Sequence, residues 1–342
     1  MPTPAVVGNN GPGTGSNTDK MPFRDLPTRP RMIVPDWLPA QQDKEINYTL
    51  SLVNGVYQMH KQEEQATNDL INDFETRDDD VFVCTYVKSG TTWTQQIISL
   101  LLNKGDQSTK NYTEVVPWLE SLTFSALHPR PCATSPAQAQ NWTLDSLRST
   151  PQRRFMKSHA NLKGLPVGAA KGLKVIYVAR NPKDVCVSLL HHVLNKQGHA
   201  FGGGFSDMLT CFVKGRCENG SWFNHVLEWW EAAKADPEHV MFLCYEDMLA
   251  DPQAHIQKIA DFTGIDCTPE ILAKTLAGST ISAMRNNPKA NIRPAENHLR
   301  KGGSGGWRDV FTVRESEAFD MLYHEQMAGS GLKMNFGEGL VM

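Results

Sequence analysis

Short apolar runs alternate with amphipathic segments along most of this chain. The clearest run spans residues 81–86, which are mostly apolar or β-branched and follow a turn-like stretch at residues 77–80. Similar runs at residues 154–157, 174–179 and 240–245 predict three further strands. The run at residues 174–179 is almost entirely apolar, which is typical of a strand that helices cover on both faces.

Helical patterns follow most of these runs. Residues 91–103 carry large apolar side chains on one face, as an amphipathic helix does. A second helix is expected to begin near Asp184, and a long one to begin after Ser221, a good N-cap, and to reach about residue 235. Asp251 and Thr268 are N-cap residues that are each followed by proline, which predicts the starts of two more helices.

Strands that alternate with helices predict an α/β fold, a single domain with a central, mostly parallel sheet flanked by helices. We expect this domain to span residues 31–342. Residues 1–30 are rich in glycine, proline, asparagine and threonine, so a disordered tail is expected there. Residues 284–306 are polar and contain prolines and glycines, which predicts a long functional loop.

The bulk composition narrows the class of protein. Charged residues make up 21% of the 342 residues and the net charge is −3, so nothing favours a nucleic-acid or anionic-membrane partner. No apolar run is as long as a membrane span, and no secretory signal is recognised, so a cytoplasmic protein is expected. The seven cysteines include no C-x-x-C pair, which argues against both a zinc site and a disulfide framework.

Polar side chains follow three of the predicted strands. Residues 88–93 read Lys-Ser-Gly-Thr-Thr-Trp after the first strand, Ser158 and His159 follow the second, and Arg180 follows the third. In an open parallel sheet, ligands bind beyond the carboxyl ends of the strands. The sequence therefore places two cations and a histidine beside a small-residue turn at one edge of the sheet.

The turn at residues 88–92 has the composition of an anion cradle. Gly90 lets the backbone bend close to a ligand, and the N–H groups at the start of a helix stabilise negative charge. The turn is not the nucleoside-triphosphate P-loop, because its lysine precedes its only glycine. A nucleotide kinase stays open as an alternative, since Glu246 and Asp247 follow the fourth run where a magnesium-binding acid would sit.

Each candidate taken singly also has an ordinary structural explanation. The turn at residues 88–92 is then a strand–turn–helix corner, His159 a core histidine, Trp93 part of a helix core and Arg180 an ion-pair partner of Asp184. Their convergence at one edge of a sheet is what favours a functional site.

Three motifs, in order along the chain, resemble those of the cytosolic sulfotransferases. Residues 85–93 resemble the family's 5′-phosphosulfate loop, residues 178–185 with Ser188 resemble its 3′-phosphate site, and residues 300–307 resemble its C-terminal loop. The resemblance runs from about residue 50 to about residue 335. It implies a P-loop-kinase-like sulfotransferase fold, and an enzyme that moves a sulfuryl group from PAPS (3′-phosphoadenosine-5′-phosphosulfate) to a hydroxyl on a small acceptor, leaving PAP.

The resemblance also implies a role for each matched residue. His159 is expected to be the general base and Lys88 to stabilise the leaving group, with Lys157 and Ser188 completing the catalytic set. The residues expected to hold the donor are Lys88, Ser89, Gly90, Thr91, Thr92, Trp93, Arg180, Ser188, Asn219, Arg300, Lys301 and Gly302. No metal is expected, because the reaction asks for in-line positioning, charge stabilisation and a base.

Two further expectations concern partners. Arg308, Thr312, Val313 and Glu317 resemble the family's short dimer motif, although an exposed C-terminal segment explains them equally well. Trp118, Phe124 and the region at residues 189–212 are candidates for the lining of a hydrophobic acceptor pocket. Phenols, sterols, alcohols and natural products all stay open as acceptors. Asn219 departs from the family pattern, since it stands where a tyrosine helps to hold adenine.

Overall fold

A computed structural model describes residues 47–59, 62–123, 142–166 and 170–336 of the chain. The tail expected at residues 1–30, the first residues of the expected domain and the candidate pocket residue Phe124 lie outside the described residues.

Six strands belong to two sheets in the described residues. They are β1 (Leu50–Val53), β2 (Val56–Met59), β3 (Val81–Thr85), β4 (Phe155–Ser158), β5 (Lys174–Ala179) and β6 (Val240–Cys244). β1 and β2 form an antiparallel hairpin, whereas the other four form a parallel sheet in the order β4-β3-β5-β6. The carboxyl ends of β3, β4 and β5 therefore meet at one edge, as the sequence predicts.

Twelve α-helices connect and cover these strands within the described ranges. They are α1 (Glu64–Asp73), α2 (Thr91–Leu102), α3 (Tyr112–Val115), α4 (Leu144–Ser149), α5 (Pro182–Leu194), α6 (Phe205–Val213), α7 (Trp222–Ala235), α8 (Tyr245–Ala250), α9 (Pro252–Thr263), α10 (Pro269–Gly278), α11 (Ile281–Asn286) and α12 (Val313–Met327). No helix in the part of the chain that the structure describes is long and apolar enough to cross a membrane.

Alternate residues of β3 face two hydrophobic clusters on opposite sides of the sheet. Val81 and Val83 pack with side chains of α2, α9 and α10, while Phe82 and Cys84 belong to the cluster that includes α5, α6, α7 and α12. The strand is fully buried because it is covered on both faces. Burial of each large apolar side chain stabilises the fold by about 1.5–3 kcal/mol.

The predicted α/β fold with a parallel sheet is confirmed, and several boundaries agree closely. β5 has the predicted bounds, and the Ser221 side chain accepts a hydrogen bond from the Asn224 N–H at the start of α7. Gly264 ends α9 with a left-handed backbone, at φ +68°. Residues 284–306 are not wholly a loop, because α11 extends to Asn286 and a short 3₁₀ turn spans Pro294–Glu296.

Candidate active site

A cavity of about 670 Å³ lies at the carboxyl edge of the parallel sheet. Its lining includes nearly all of the residues singled out from the sequence: Lys88, Gly90, Thr91, Thr92, Trp93, Lys157, His159, Arg180, Ser188, Asn219, Arg300, Lys301 and Gly302. Ser89 is the exception, since its side chain is fully buried behind this surface and its Oγ has no hydrogen-bond partner among the described residues.

The turn between β3 and α2 bends in a way that depends on glycine. Lys88 and Gly90 both have positive φ, +69° and +103° respectively. A Cβ atom at position 90 would lie 2.7 Å from Cδ2 of Tyr245, so no larger residue fits without displacing that ring. The turn therefore presents the first N–H groups of a twelve-residue helix to the cavity, where they stabilise an anion.

The His159 ring has a defined proton position. Its Nδ1 lies 2.9 Å from the backbone oxygen of Thr85, which can only accept, so Nδ1 carries the proton. Nε2 then keeps its lone pair, which is the form a base requires. Burial, and next the charge of Lys157, hold the pKa of His159 well below its usual range, so the ring is neutral near pH 7.

The His159 backbone is also anchored. Its N–H donates to a carboxylate oxygen of Glu120 at 2.7 Å, while its carbonyl accepts from Nδ2 of Asn219 at 2.9 Å and from Nε2 of His225 at 3.1 Å. These bonds leave the ring little freedom to shift relative to β3 and α7. The Asn219 amide thus contacts His159 as well as lining the cavity.

Two lysines of the cavity have depressed pKa values. Burial, followed by the charges of Lys196 and Arg180, lowers the pKa of Lys88 to about 7. Burial and then Arg293 lower that of Lys157 to about 7, and its Nζ lies 4.3 Å from the centre of the Trp118 ring. An anion in the cavity would raise both values, because it favours the charged form.

Arg180 and Asp184 fix the late loop that closes one side of the cavity. Arg180 donates from Nη1 to the Lys88 carbonyl at 3.1 Å and from Nη2 to the Gly303 carbonyl at 2.9 Å. The Asp184 carboxylate accepts from the N–H groups of Gly305, at 2.6 Å, and Trp307, at 3.0 Å. The loop at residues 299–306 is therefore held over the start of α5.

Sequence reasoning missed several charged residues of the cavity wall. Seven lysines and arginines line the cavity against four acids, counting described residues: Lys88, Lys157, Arg180, Lys196, Arg293, Arg300 and Lys301 against Glu120, Asp184, Glu218 and Asp309. Arg293 and His298 lie in the segment at residues 284–306 that the sequence predicts to be a functional loop. That prediction is the one sequence feature that could have identified them as cavity residues. The excess of cations marks a site for a highly charged anion.

The acid that supported the kinase alternative is engaged elsewhere. Oε1 of Glu246 accepts from the Asn181 N–H at 3.0 Å, which connects α8 to the end of β5. Burial is the main cause that raises the pKa of this carboxyl to about 7. Among the described residues, the acids that line the cavity do not include Glu246 or Asp247.

The proposed dimer residues lie together near the start of α12. The Thr312 side chain accepts from the Glu315 N–H and caps the helix, and Val313 is 75% exposed. The guanidinium of Arg308 stacks 4.7 Å from the centre of the Trp307 ring. Dimer formation through this segment stays a prediction.

Comparison with known proteins identifies relatives over most of the chain. The family model for the sulfotransferase domain matches residues 78–331. Sulfotransferase 1B1 from dog (Canis lupus familiaris) is 34% identical over 276 residues, covering 77% of this chain and 88% of that protein. Sulfotransferase 1E1 from cattle (Bos taurus) is 35% identical over 273 residues, with the same coverages of 77% and 88%.

Solved structures give the same result. Mouse sulfotransferase SULT7A1 complexed with PAP superimposes with a TM-score of 0.67 at 28% identity, covering 82% of this chain and 95% of that one. A retinol dehydratase in complex with retinol and PAP gives a TM-score of 0.66 at 25% identity, with coverages of 82% and 89%.

Proposed function

The chain belongs to the sulfotransferase family, and from that premise we propose how its residues move a sulfuryl group from PAPS to a hydroxyl on a small acceptor. The protein is a PAPS-dependent sulfotransferase, and PAPS supplies the activated sulfuryl group. Everything else in the reaction falls to the chain: binding four negative charges, orienting the acceptor and removing one proton.

The walls of the cavity suit a donor with phosphate at both ends. The Lys88–Thr92 turn and Lys157 would hold the 5′-phosphosulfate, and Arg180, Ser188 and the loop at residues 300–302 would hold the 3′-phosphate. The excess of cations and the two depressed lysine pKa values support this assignment. Bound phosphates would neutralise the positive charges and raise the pKa values of Lys88 and Lys157. Trp93, which packs edge to face on Tyr245 with ring centres 5.5 Å apart, would lie against the adenine.

His159 would act as the general base. The observation that carries this role is the hydrogen bond of Nδ1 to the Thr85 carbonyl, which leaves Nε2 free to take the proton of the acceptor hydroxyl. The depressed pKa supports the role as well, since a neutral ring is present throughout the neutral pH range.

Lys88 would stabilise the charge that develops on the oxygen between phosphorus and sulfur as that bond breaks. Its position at the start of the cradle, within the same cavity as His159, supports this role. An interaction that strengthens only as the bond breaks raises kcat rather than affinity. Lys157 would neutralise the transferring group from the side of β4.

Calorimetry with PAP, 5′-ADP and ATP, each with and without magnesium, tests the donor assignment. PAP is expected to bind at least about 100-fold more tightly than 5′-ADP, because charge-assisted bonds to the 3′-phosphate are lost, and magnesium is expected to have no effect. Equal affinity for the two diphosphates would overturn the proposed contacts to the 3′-phosphate, and preferential binding of magnesium-ATP would favour the kinase alternative.

We also propose a cytoplasmic location, a domain that begins near residue 31 and a homodimer that uses the start of α12. Support for the location is that six described cysteines are free thiols, as expected in a reducing compartment.

A further inference from the structure

Two cations in the cavity wall have no part in the mechanism above. The lysines and arginines assigned to the donor are Lys88, Lys157, Arg180, Arg300 and Lys301. Together with the helix start at the cradle, these five face the four negative charges of PAPS. Arg293 and Lys196 line the same cavity without a place in that assignment. Arg293 is the one whose side chain has no bonding partner in the described part of the chain.

The half-buried guanidinium of Arg293 forms no hydrogen bond or ion pair with any residue in the ranges that the structure describes. Acids of the cavity wall contact other groups. Glu120 accepts from the His159 N–H at 2.7 Å, and Asp309 lies 3.1 Å from the ammonium of Lys301. A guanidinium carries five N–H donors and no acceptor, so the group that satisfies it must accept hydrogen bonds. Its permanent charge favours an anion.

The backbone around Arg293 is fixed close to the end of the cradle. Ile292 is buried, and the Glu296 N–H donates to the Arg293 carbonyl at 3.2 Å, where a short 3₁₀ turn spans Pro294–Glu296. Two residues after that turn, Nε2 of His298 lies 2.9 Å from the hydroxyl oxygen of Thr92. Thr92 is the last residue of the cradle, so the segment that carries Arg293 is held against the 5′ end of the donor site.

The charge of Arg293 acts on the groups around the reaction centre. After burial, it is the main cause that lowers the pKa of Lys157, whose Nζ lies 4.3 Å from the centre of the Trp118 ring. That ring packs edge to face on His159, with ring centres 5.8 Å apart. For Arg300, at the 3′-phosphate end, burial is the main cause that lowers the pKa, and Arg293 is not among the main charges that add to it. Arg293 therefore faces the end of the cavity where the sulfuryl group meets the acceptor.

We propose that Arg293 binds a carboxylate on the acceptor, which is separate from the hydroxyl that receives the sulfuryl group. A guanidinium engages a carboxylate with two parallel hydrogen bonds, which fixes the orientation of the acceptor as well as its position. The proposal rests on the proposed function, since it assumes that the acceptor hydroxyl reacts at His159. It makes the preferred acceptor a hydroxylated acid instead of an uncharged phenol, sterol or alcohol.

Three hydroxylated acids, each paired with its neutral carboxamide, test this contact: 4-hydroxybenzoate, (4-hydroxyphenyl)acetate and 3-(4-hydroxyphenyl)propanoate. The members of a pair share their shape and their reacting hydroxyl and differ in charge, while the three chain lengths sample different distances to Arg293. Binding to the PAP complex is measured by calorimetry, and kcat/KM is measured with PAPS. At least one acid is expected to bind about 10- to 100-fold more tightly than its carboxamide, because it gains charge-assisted hydrogen bonds.

Arg293→Gln removes the charge and the guanidinium. This variant should reduce the advantage of the acid to within about threefold, while the carboxamide and PAP bind as before. Arg216→Gln, at an exposed position outside the cavity, is the matched control and should change nothing. Arg293→Lys keeps the charge without the planar fork, so it should keep a reduced preference for the acid, and it replaces Arg293→Gln if that variant does not fold.

Three results would overturn the contact. One is a wild-type protein in which no acid binds more tightly than its carboxamide. Another is a folded Arg293→Gln variant that keeps the full advantage of the acid, since a different cation would then hold it. The last is an Arg293→Gln variant that weakens PAP as much as the acid, which would make Arg293 a contact of the donor. Failure of the proposed function is seen separately, because PAP would then not bind or neither acids nor carboxamides would receive a sulfuryl group from PAPS.

Discussion

His159 illustrates how one residue acquires a chemical role from its neighbours. The Thr85 carbonyl sets which nitrogen holds the proton, and burial keeps the ring neutral. Neither property is visible in the sequence, where His159 taken alone is better explained as a core histidine and only its place at a strand end between two anion sites favours a base. The strand end predicted its place, but the tautomer depends on a carbonyl 74 residues earlier in the chain.

Replacement of His159 by alanine should therefore cut turnover by about 10²- to 10⁴-fold, the usual contribution of a positioned base. PAP affinity should change little, because the phosphates contact other groups. Initial rates with PAPS and calorimetry with PAP measure the two effects. His324→Ala, at an exposed position on α12, is the control. A variant that keeps most of the activity would show that another group takes the proton.

The depressed pKa of Lys88 predicts that PAP binding takes up protons. The free lysine is about half charged at pH 7, whereas a bound phosphate favours the charged form and raises the pKa. Affinity should therefore fall as the pH rises above about 7, where the free protein has lost the proton. Calorimetry in buffers of different ionisation enthalpy measures the uptake. Lys88→Met should reduce it, and an unchanged uptake in that variant would assign the proton elsewhere.

At the scale of elements, the sequence predicted the strands and helices whose positions local residue patterns determine. β3 to β6 are buried runs, and α7, α9 and α10 begin at recognisable caps. The β1–β2 hairpin was missed, although Asn54 and Gly55 are a typical hairpin turn and both have positive φ. Its strands are only four residues long and half exposed, so their alternation is weak.

Residues of the candidate site also divide into those that local sequence patterns identify and those that they do not. Residues of the donor cradle are contiguous and lie at strand ends, which is why motifs identified them. Glu218 was missed because its surroundings come from His192 and His199, which are far from it in sequence. Burial of a single acid by distant side chains leaves no periodic signal along the chain.

The loop at residues 299–306 depends on one glycine. Gly302 has φ +68°, and a Cβ atom there would lie 2.6 Å from Cγ1 of Ile281. Gly302→Ala should displace the loop and reduce the preference for PAP over 5′-ADP by at least about tenfold, the value of one charge-assisted bond. Gly303→Ala is a matched control, because a Cβ atom at that position meets nothing within 4 Å. If both variants behave alike in calorimetry, the loop does not contact the 3′-phosphate.

At the scale of the whole molecule, the start of α12 is the candidate interface. Val313 is 75% exposed at this point. Val313→Glu should shift the protein toward monomer, because a dimer would bury an unpaired charge. Sedimentation velocity at micromolar concentration measures the shift, with Leu52→Glu, at an exposed position on the β1–β2 hairpin, as the control. A wild-type protein that sediments as a monomer would remove the proposed interface.

The anchoring of His159 has a consequence for how such a chain can change over generations. Its ring is fixed by Thr85 on β3 and its carbonyl in part by His225 on α7, and neither of these two residues lines the cavity. Glu120 and Asn219, which also hold the His159 backbone, do line it. Met59, Gln62 and Glu218, in contrast, come from a hairpin end and from loops. Mutation can therefore alter what the cavity admits while the reactive centre stays in place. Libraries that vary these three positions should retain active variants that accept new substrates. Acceptor specificity can then evolve separately from the catalytic residues.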